Sequence, residues 1–388
     1  DGTYSGKVFQ VGFKGAETID ITIDDAASTA IGKFTMNTSS HADTLTTTNN
    51  LSQLKASTLT LSGYLGSATV ALLVDATSTN NSVKKVAADV NAVKDSTGIE
   101  AVAVTKGKIS NVSDAGKISF DLAGNHTAGA AVTTYDVTAT LTATSDLDPL
   151  VDAINAHAAN TGITAVLGSA ASEIILTHQT GETIELQKLS IAGSTDATME
   201  LSALDKFGNA TTTKDTTLSR AANSTTSVIT LGNTGTAGVK ARGHVLGQMT
   251  LNSIKSFTVT GDDATAEEGI FHTGQSYTGQ TTGGGTAKLS AVSSISVANQ
   301  EHASDAIAVL DAAIAKIDQQ RADLGAISNR LSSVVDNNTS MVTNTESSKS
   351  HILDTDFAVE TTKLTRTQIL QQAATSMLAQ ANASKQSV

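Results

Sequence analysis

The chain has 388 residues, with 25 Lys and Arg against 37 Asp and Glu and a formal net charge of -12. That acidic balance argues against nucleic acid and anionic membrane surfaces, both of which need basic patches. Cysteine and tryptophan are absent and aromatics make up 3% of the chain. This excludes disulfides, thiolate metal sites and cysteine nucleophiles, and it disfavours large aromatic-lined pockets. No apolar run approaches the roughly 18 residues of a membrane span. The length suffices for two or three domains.

In chain order, residues 1–30 are expected to form a β-hairpin. Lys7 to Phe13 is β-prone, Lys14-Gly-Ala16 supplies a turn, and Thr18 to Asp24 alternates with Ile19, Ile21 and Ile23 on one side. Residues 31–69 are polar and rich in Ser and Thr. They read as a linker opening a variable region, with a short helix near Asp43 to Lys55. Residues 70–130 and 131–195 read as two copies of one unit. Ser96-Thr-Gly-Ile-Glu-Ala-Val102 answers Asn160-Thr-Gly-Ile-Thr-Ala-Val166, and the same offset pairs Val83 with Leu147, Val86 with Leu150, Val90 with Ile154 and Asn91 with Asn155. Gly98 and Gly162 fall where a helix ends in a left-handed cap. Residues 196–290 read as β-rich, ending in a Gly linker around Gly283-Gly-Gly285.

From Ile295 to Val388 there is no proline, and Gly325 is the only glycine. Within the long helix expected over 291–353, Ile307, Leu310, Ile314, Ile317, Leu324, Ile327 and Leu331 recur at steps of three and four as a core-packing stripe. Such a stripe packs on another helix, yet no upstream segment reads as a helix of matching length, so its partner is expected from outside this sequence. Asp354 or Asp356 can cap a second helix, and 354–388 reads as a terminal assembly helix. It places Phe357, Ile369, Leu370, Ala373, Met377, Leu378 and Ala381 around much of its cylinder, with almost no charge on the remaining faces. A helix of that kind is built to be surrounded.

These residues carry a resemblance. Ile352 to Glu360, Leu364 to Ala373 and Ser376 to Asn382, with Ile317 to Leu331 before them, are similar to the carboxy-terminal signature of bacterial flagellins. Asp1 to Asp20 resembles the hairpin that follows the amino-terminal helices of that family, and the duplicated unit resembles its insertion module. The resemblance implies a multidomain α+β protein: a long carboxy-terminal, coiled-coil-like helical core segment plus β-rich outer domains with a duplicated βα module. It also implies a fragment without the amino-terminal helices and clipped at its last few residues, with residues from about 30 to 290 projecting outward.

The function it implies is structural. The chain is expected to be the repeating subunit of a flagellar filament, extracellular, exported by the flagellar apparatus, and self-assembling through terminal helices that stay disordered in the monomer and order in the filament. Implied partners are identical subunits, an export chaperone, the filament cap and a host innate receptor. A hook–filament junction protein, a flagellin-like adhesin or polysaccharide receptor, and a flagellin-borne hydrolase are the alternatives.

An enzyme is not expected, and neither is a cofactor or metal. Zinc proteolysis needs two histidines one helical turn apart with a glutamate between them. His41, His126, His157, His178, His244, His272, His302 and His351 are all far apart. Glu301-His302 begins such a motif and stops. The eight are read as exposed residues of loops and helices. Asp262-Asp263 and Glu267-Glu268 lack calcium-loop spacing.

Overall fold

The computed structural model describes residues 4, 6–12, 17–38, 41–45, 57–72, 82–124, 132–194, 198–210, 228–232, 242–261, 280–281, 284–354 and 356–385. The chain divides into two compact units. One comprises Asp1 and Asp25–Asp318, and the other joins Gly2–Asp24 to Gln319–Val388.

The second unit opens with a hairpin. Strands β1 (Lys7–Gln10) and β2 (Thr18–Ile21) pair antiparallel, with Phe9 opposite Ile19. Its expected turn at 14–16 lies outside the described residues. Ile19 is buried and Ile21 and Ile23 are half-buried, while the intervening residues face solvent. This is the period-two alternation of a strand with one covered face.

In the first unit, β3 (Gly32–Asn37) and β4 (His41–Leu45) precede two copies of a ββαβ module. The first copy is β5 (Ser57–Ser62), β6 (Ser67–Leu72), α1 (Val83–Ala92), the single turn α2 (Lys94–Thr97) and β7 (Glu100–Ser110). The second is β8 (Gly116–Ala123), β9 (Tyr135–Leu141), α3 (Asp148–Asn155), the single turn α4 (Ala158–Thr161) and β10 (Ile163–Leu167). There follow β11 (Ile174–His178), β12 (Ile184–Ile191), β13 (Thr198–Leu204), β14 (Val228–Gly232), β15 (Arg242–Leu246), β16 (Gln248–Ser253), β17 (Thr258–Gly261), β18 (Gln280–Thr281), β19 (Gly284–Thr286) and β20 (Lys288–Ala291).

The strands interleave distant segments. Among the described residues the largest sheet runs β10-β11-β7-β16-β3-β20, with β13 also on β7 and β14 on β13. Two further sheets run β4-β15-β12-β8-β9 and β18-β19-β17-β5-β6. The stretch read as a linker therefore supplies strands to all three sheets. The helix expected from Asp43 begins instead inside β4, whose backbone pairs with β15; the rest of that expectation, 46–55, lies outside the described residues. Likewise Gly284–Thr286, read as linker, pairs with β17. In both places a waiting sheet edge decides the backbone, which is how tertiary pairing overrides local propensity.

The two modules match in detail. Val83, Val86 and Val90 on α1 are buried, as are Leu147, Leu150 and Ile154 at α3, each set one apolar helix stripe pressed on a sheet. Pro149 sits in the first turn of α3, where a missing N–H costs nothing. Asn91 Nδ2 donates to Ala101 O at 2.8 Å and its Oδ1 accepts from Ala101 N at 2.8 Å. Asn155 makes the same pair of bonds to Ala165, at 2.9 and 2.8 Å. Each amide thus satisfies the backbone that an adjacent strand would otherwise pair, and it fixes helix to strand. Gly98 and Gly162 both have φ 73°. A side chain there would also meet Tyr64 or His178 within 2.5 Å, so glycine is required twice over.

Asn155→Ala strands the buried N–H and C=O of Ala165 together and is expected to cost about 1–3 kcal/mol. Asn91→Ala acts in the same way in the first module. Urea unfolding of each variant measures it, and a shift in midpoint with an unchanged slope is the expected result.

Candidate assembly interface

Helix α5 (Gln300–Leu353) starts at Asn299, whose Oδ1 accepts from His302 N at 2.8 Å. Its residues up to Asp318 belong to the first unit. There Ala306, Val309 and Ala313 are the buried side chains, and Lys316 Nζ donates to Ala30 O at 3.0 Å. The larger residues of the expected stripe lie on the adjacent face: Ile307, Leu310 and Ile314 are exposed and Ile317 is half-buried. The covered face is the one that carries Ala306, Val309 and Ala313. The sequence signal was present as Ala306, Val309 and Ala313 at steps of three and four, but larger neighbours outweighed it.

From Gln319 the helix belongs to the second unit. Leu324, Ile327, Leu331 and Val334 are half-buried at heptad-like spacing. Gln320 Nε2 donates to Asp24 O at 3.0 Å and Asn338 Nδ2 to Val11 O at 2.8 Å. These two amides tie the helix to both arms of the hairpin and leave its other faces open, including Met341 and Val342.

The helical run breaks between Leu353 and Phe357. Ser350 Oγ donates to Asp354 Oδ2 on one side of the break. On the other, Asp356 Oδ1 accepts from Ala358 N at 2.9 Å and Val359 N at 3.4 Å, which makes Asp356 the cap of α6 (Phe357–Lys385).

Helix α6 buries none of its side chains. Phe357 is 81% exposed and Met377 71%, and Ile369, Leu370 and Leu378 are each 60% or more. Ala373 and Ala381 are exposed as well. No charged residue lies between Arg366 and Lys385. The hydroxyls of Thr361, Thr362, Thr365, Thr367 and Thr375 donate back to carbonyls one turn earlier. Hydroxyls satisfied within their own helix can be covered by another chain without losing a partner.

Catalytic groupings fare differently. Glu301 Oε1 accepts from Lys106 Nζ at 2.8 Å, and the His302 ring stacks on Phe207 at 4.5 Å, so both residues of the broken zinc motif are held in structural contacts. The expectation of exposed histidines fails for His178 on β11 and His244 on β15, which are buried. Period-two alternation turns His178 inward, whereas His244 lies on a strand paired on both sides, by β12 and β4, and buried on both faces. Among the described residues, no group of three or more His, Cys, Asp or Glu side chains is placed to hold a metal ion. The acidic pairs at 262–263 and 267–268 lie outside the described residues. No helix among the described residues is long and apolar enough to cross a membrane.

A capped helix with apolar groups on several sides, no charge between Arg366 and Lys385 and no cover marks a chain that packs against other chains. Comparison with known proteins agrees. Residues 307–388 match the bacterial flagellin C-terminal helical region, and residues 119–179 match the flagellin hook IN motif. The B-type flagellin of Pseudomonas aeruginosa is 30% identical over 388 residues, which is 100% of this chain and 71% of that protein. Flagellin A of Vibrio cholerae is 50% identical over 98 residues, and polar flagellin C of Vibrio parahaemolyticus is 51% identical over 90. Those matches span only 26% and 23% of the two Vibrio proteins. The chain belongs to the bacterial flagellin family. The hook IN match covers the second ββαβ module, and the Asn91 and Gly98 geometry shows the first to be built alike.

Asp356→Ala removes the cap of α6 and is expected to cost about 1 kcal/mol of helix stability. Loss of far-UV helical signal at 222 nm, with β-unit unfolding unchanged, is the expected readout.

Proposed function

We propose that this chain is a repeating structural subunit of the bacterial flagellar filament, and that α5 and α6 carry its self-assembly. The observation that supports this most strongly is α6 itself: a capped helix, apolar on several faces, uncharged between Arg366 and Lys385 and with no buried side chain. Isolated helices of this kind are marginal in water, and their stability comes from packing. Identical neighbours supply that packing in a polymer. A subunit that presents one surface to a different surface of the next copy generates a helical filament rather than a closed ring when the rotation does not close.

The core-packing set Ile307, Leu310, Ile314, Ile317, Leu324, Ile327 and Leu331 then serves helix–helix contacts. The set Phe357, Ile369, Leu370, Ala373, Met377, Leu378 and Ala381 serves contacts between subunits. An exported, extracellular protein fits this reading. So do an export chaperone, the filament cap and a host innate receptor as partners, since each can engage the same open helices. No catalytic role is part of the proposal.

Leu370→Glu and Met377→Lys place charge on the bare surface without breaking the helix. Seeded polymerisation followed by sedimentation is expected to show at least a tenfold loss of pelleted protein for each, with unchanged β-unit unfolding. Wild-type polymer yield from both variants contradicts the assignment of α6 to assembly.

A further inference from the structure

The start of α5 meets the β unit through few apolar atoms and many charges. Its buried apolar contacts there are Ala306, Val309 and Ala313. Around them lies a charge hub. Asp305 Oδ1 accepts from Lys33 Nζ at 3.0 Å and from Lys206 Nζ at 2.9 Å. One turn earlier Glu301 accepts from Lys106 at 2.8 Å. The three lysines come from β3, from β7 and from the loop after β13. Lys33 and Lys106 are both nearly buried, at 6% and 8% exposure.

The loop behind this hub is held by its own hydrogen bonds. Asp205 Oδ1 accepts from Phe207 N at 2.9 Å and Asn209 N at 2.8 Å, and Lys206 N donates to Gln248 Oε1 at 3.0 Å. Phe207 presents its ring to His302, and Lys206 Nζ lies 4.7 Å from the centre of that ring. The β unit is therefore pre-shaped to receive the helix, and the helix supplies the two carboxylates.

We propose that Asp305, gripped by Lys33 and Lys206 and seconded by Glu301 on Lys106, is a charge latch that straps the first turns of α5 onto the β unit and can open while the sheet stays folded. Removing the carboxylate leaves buried ammonium groups without a counter-charge, which is far worse than never having built the pair. The apolar contacts are too small to hold the strap against that. This inference concerns the β unit alone and stands apart from the filament reading.

The latch has an acid limb. Burial pushes the Asp305 carboxyl up, but hydrogen bonds and charge from Lys206 and Lys33 outweigh it and hold the group below the ordinary aspartate value. Glu301 is held low mainly by its bond from Lys106. Carboxylates lowered in the folded state contribute stability above their ordinary values, and that contribution is lost as pH falls through the lowered ones. Lys206 is pulled below the ordinary lysine value by burial, partly offset by Asp305. Raising the pH therefore relieves a cost at Lys206, and the acid limb is the one to read. The other charged or titratable groups facing the hub are Lys33, Lys106, Asp205 and His302.

Hydrogen exchange of the full chain, read by mass spectrometry, tests the latch. Asp305→Asn is expected to raise exchange at 303–313 at least tenfold while 101–103 and 249–251 keep their protection. Lys206→Met, which keeps the Lys33 pair, is expected to raise the same segment by a smaller factor. Acidifying the wild type below the ordinary aspartate value is expected to open 303–313 before the sheet. Unchanged exchange at 303–313 in Asp305→Asn overturns the proposal, as does joint loss of segment and sheet on acidification. Should Asp305→Asn fail to fold, Lys206→Met decides: a rise confined to 303–313 supports the latch, and no rise or a rise shared with the sheet overturns it.

Discussion

Apolar surface on an isolated helix must be covered by something, because neither hydrogen bonding nor propensity holds a bare helix in water for long. In this chain that requirement falls on α6 and on the open faces of α5. Ile307, Leu310 and Ile314 are exposed beside a covered face of alanines and Val309. Helix α6 has no covered face at all. Its threonine hydroxyls are spent on its own backbone and it carries no charge between Arg366 and Lys385, so little opposes burial against a neighbour. The polymer reading follows from that imbalance between what the helices expose and what a single copy covers.

The β unit meets the opposite condition. Its two cores are closed within the unit, one around Phe120, Leu150 and Ile163 and the other around Leu61, Val90 and Phe257, each module being completed by strands from outside it. The asparagine amides at 91 and 155 stand where a strand would, so each module can end a sheet edge against a helix without orphaning backbone groups. Charge is used sparingly and close to the helix start, where Asp305 gathers ammonium groups from two distant segments. A fold with few aromatics and no disulfides thus relies on repeated aliphatic packing and a small number of well-placed polar bonds.

What was legible in the sequence was local or periodic. The hairpin alternation at Ile19, Ile21 and Ile23, the duplicated apolar spacing, the paired left-handed glycines and a cap at Asp354 or Asp356 all depend on residues near one another in the chain. What was not legible depends on pairing across it. β16 lies between β7 and β3, and nothing in any of the three strands names its neighbours. The strand at His41–Leu45 reads as polar sequence until β15 is beside it. The hub at Asp305 needs Lys33, Lys106 and Lys206, each unremarked in its own segment.

The most direct test of the account is the exchange of α6 amides in dilute subunit and in polymer made from the same protein. The account predicts fast exchange across 367–384 in the dissolved subunit and protection greater by about two orders of magnitude in the polymer, because cover from neighbours is what would hold the helix. Equal protection in the two states would contradict it, since α6 would then owe its stability to its own chain and not to assembly.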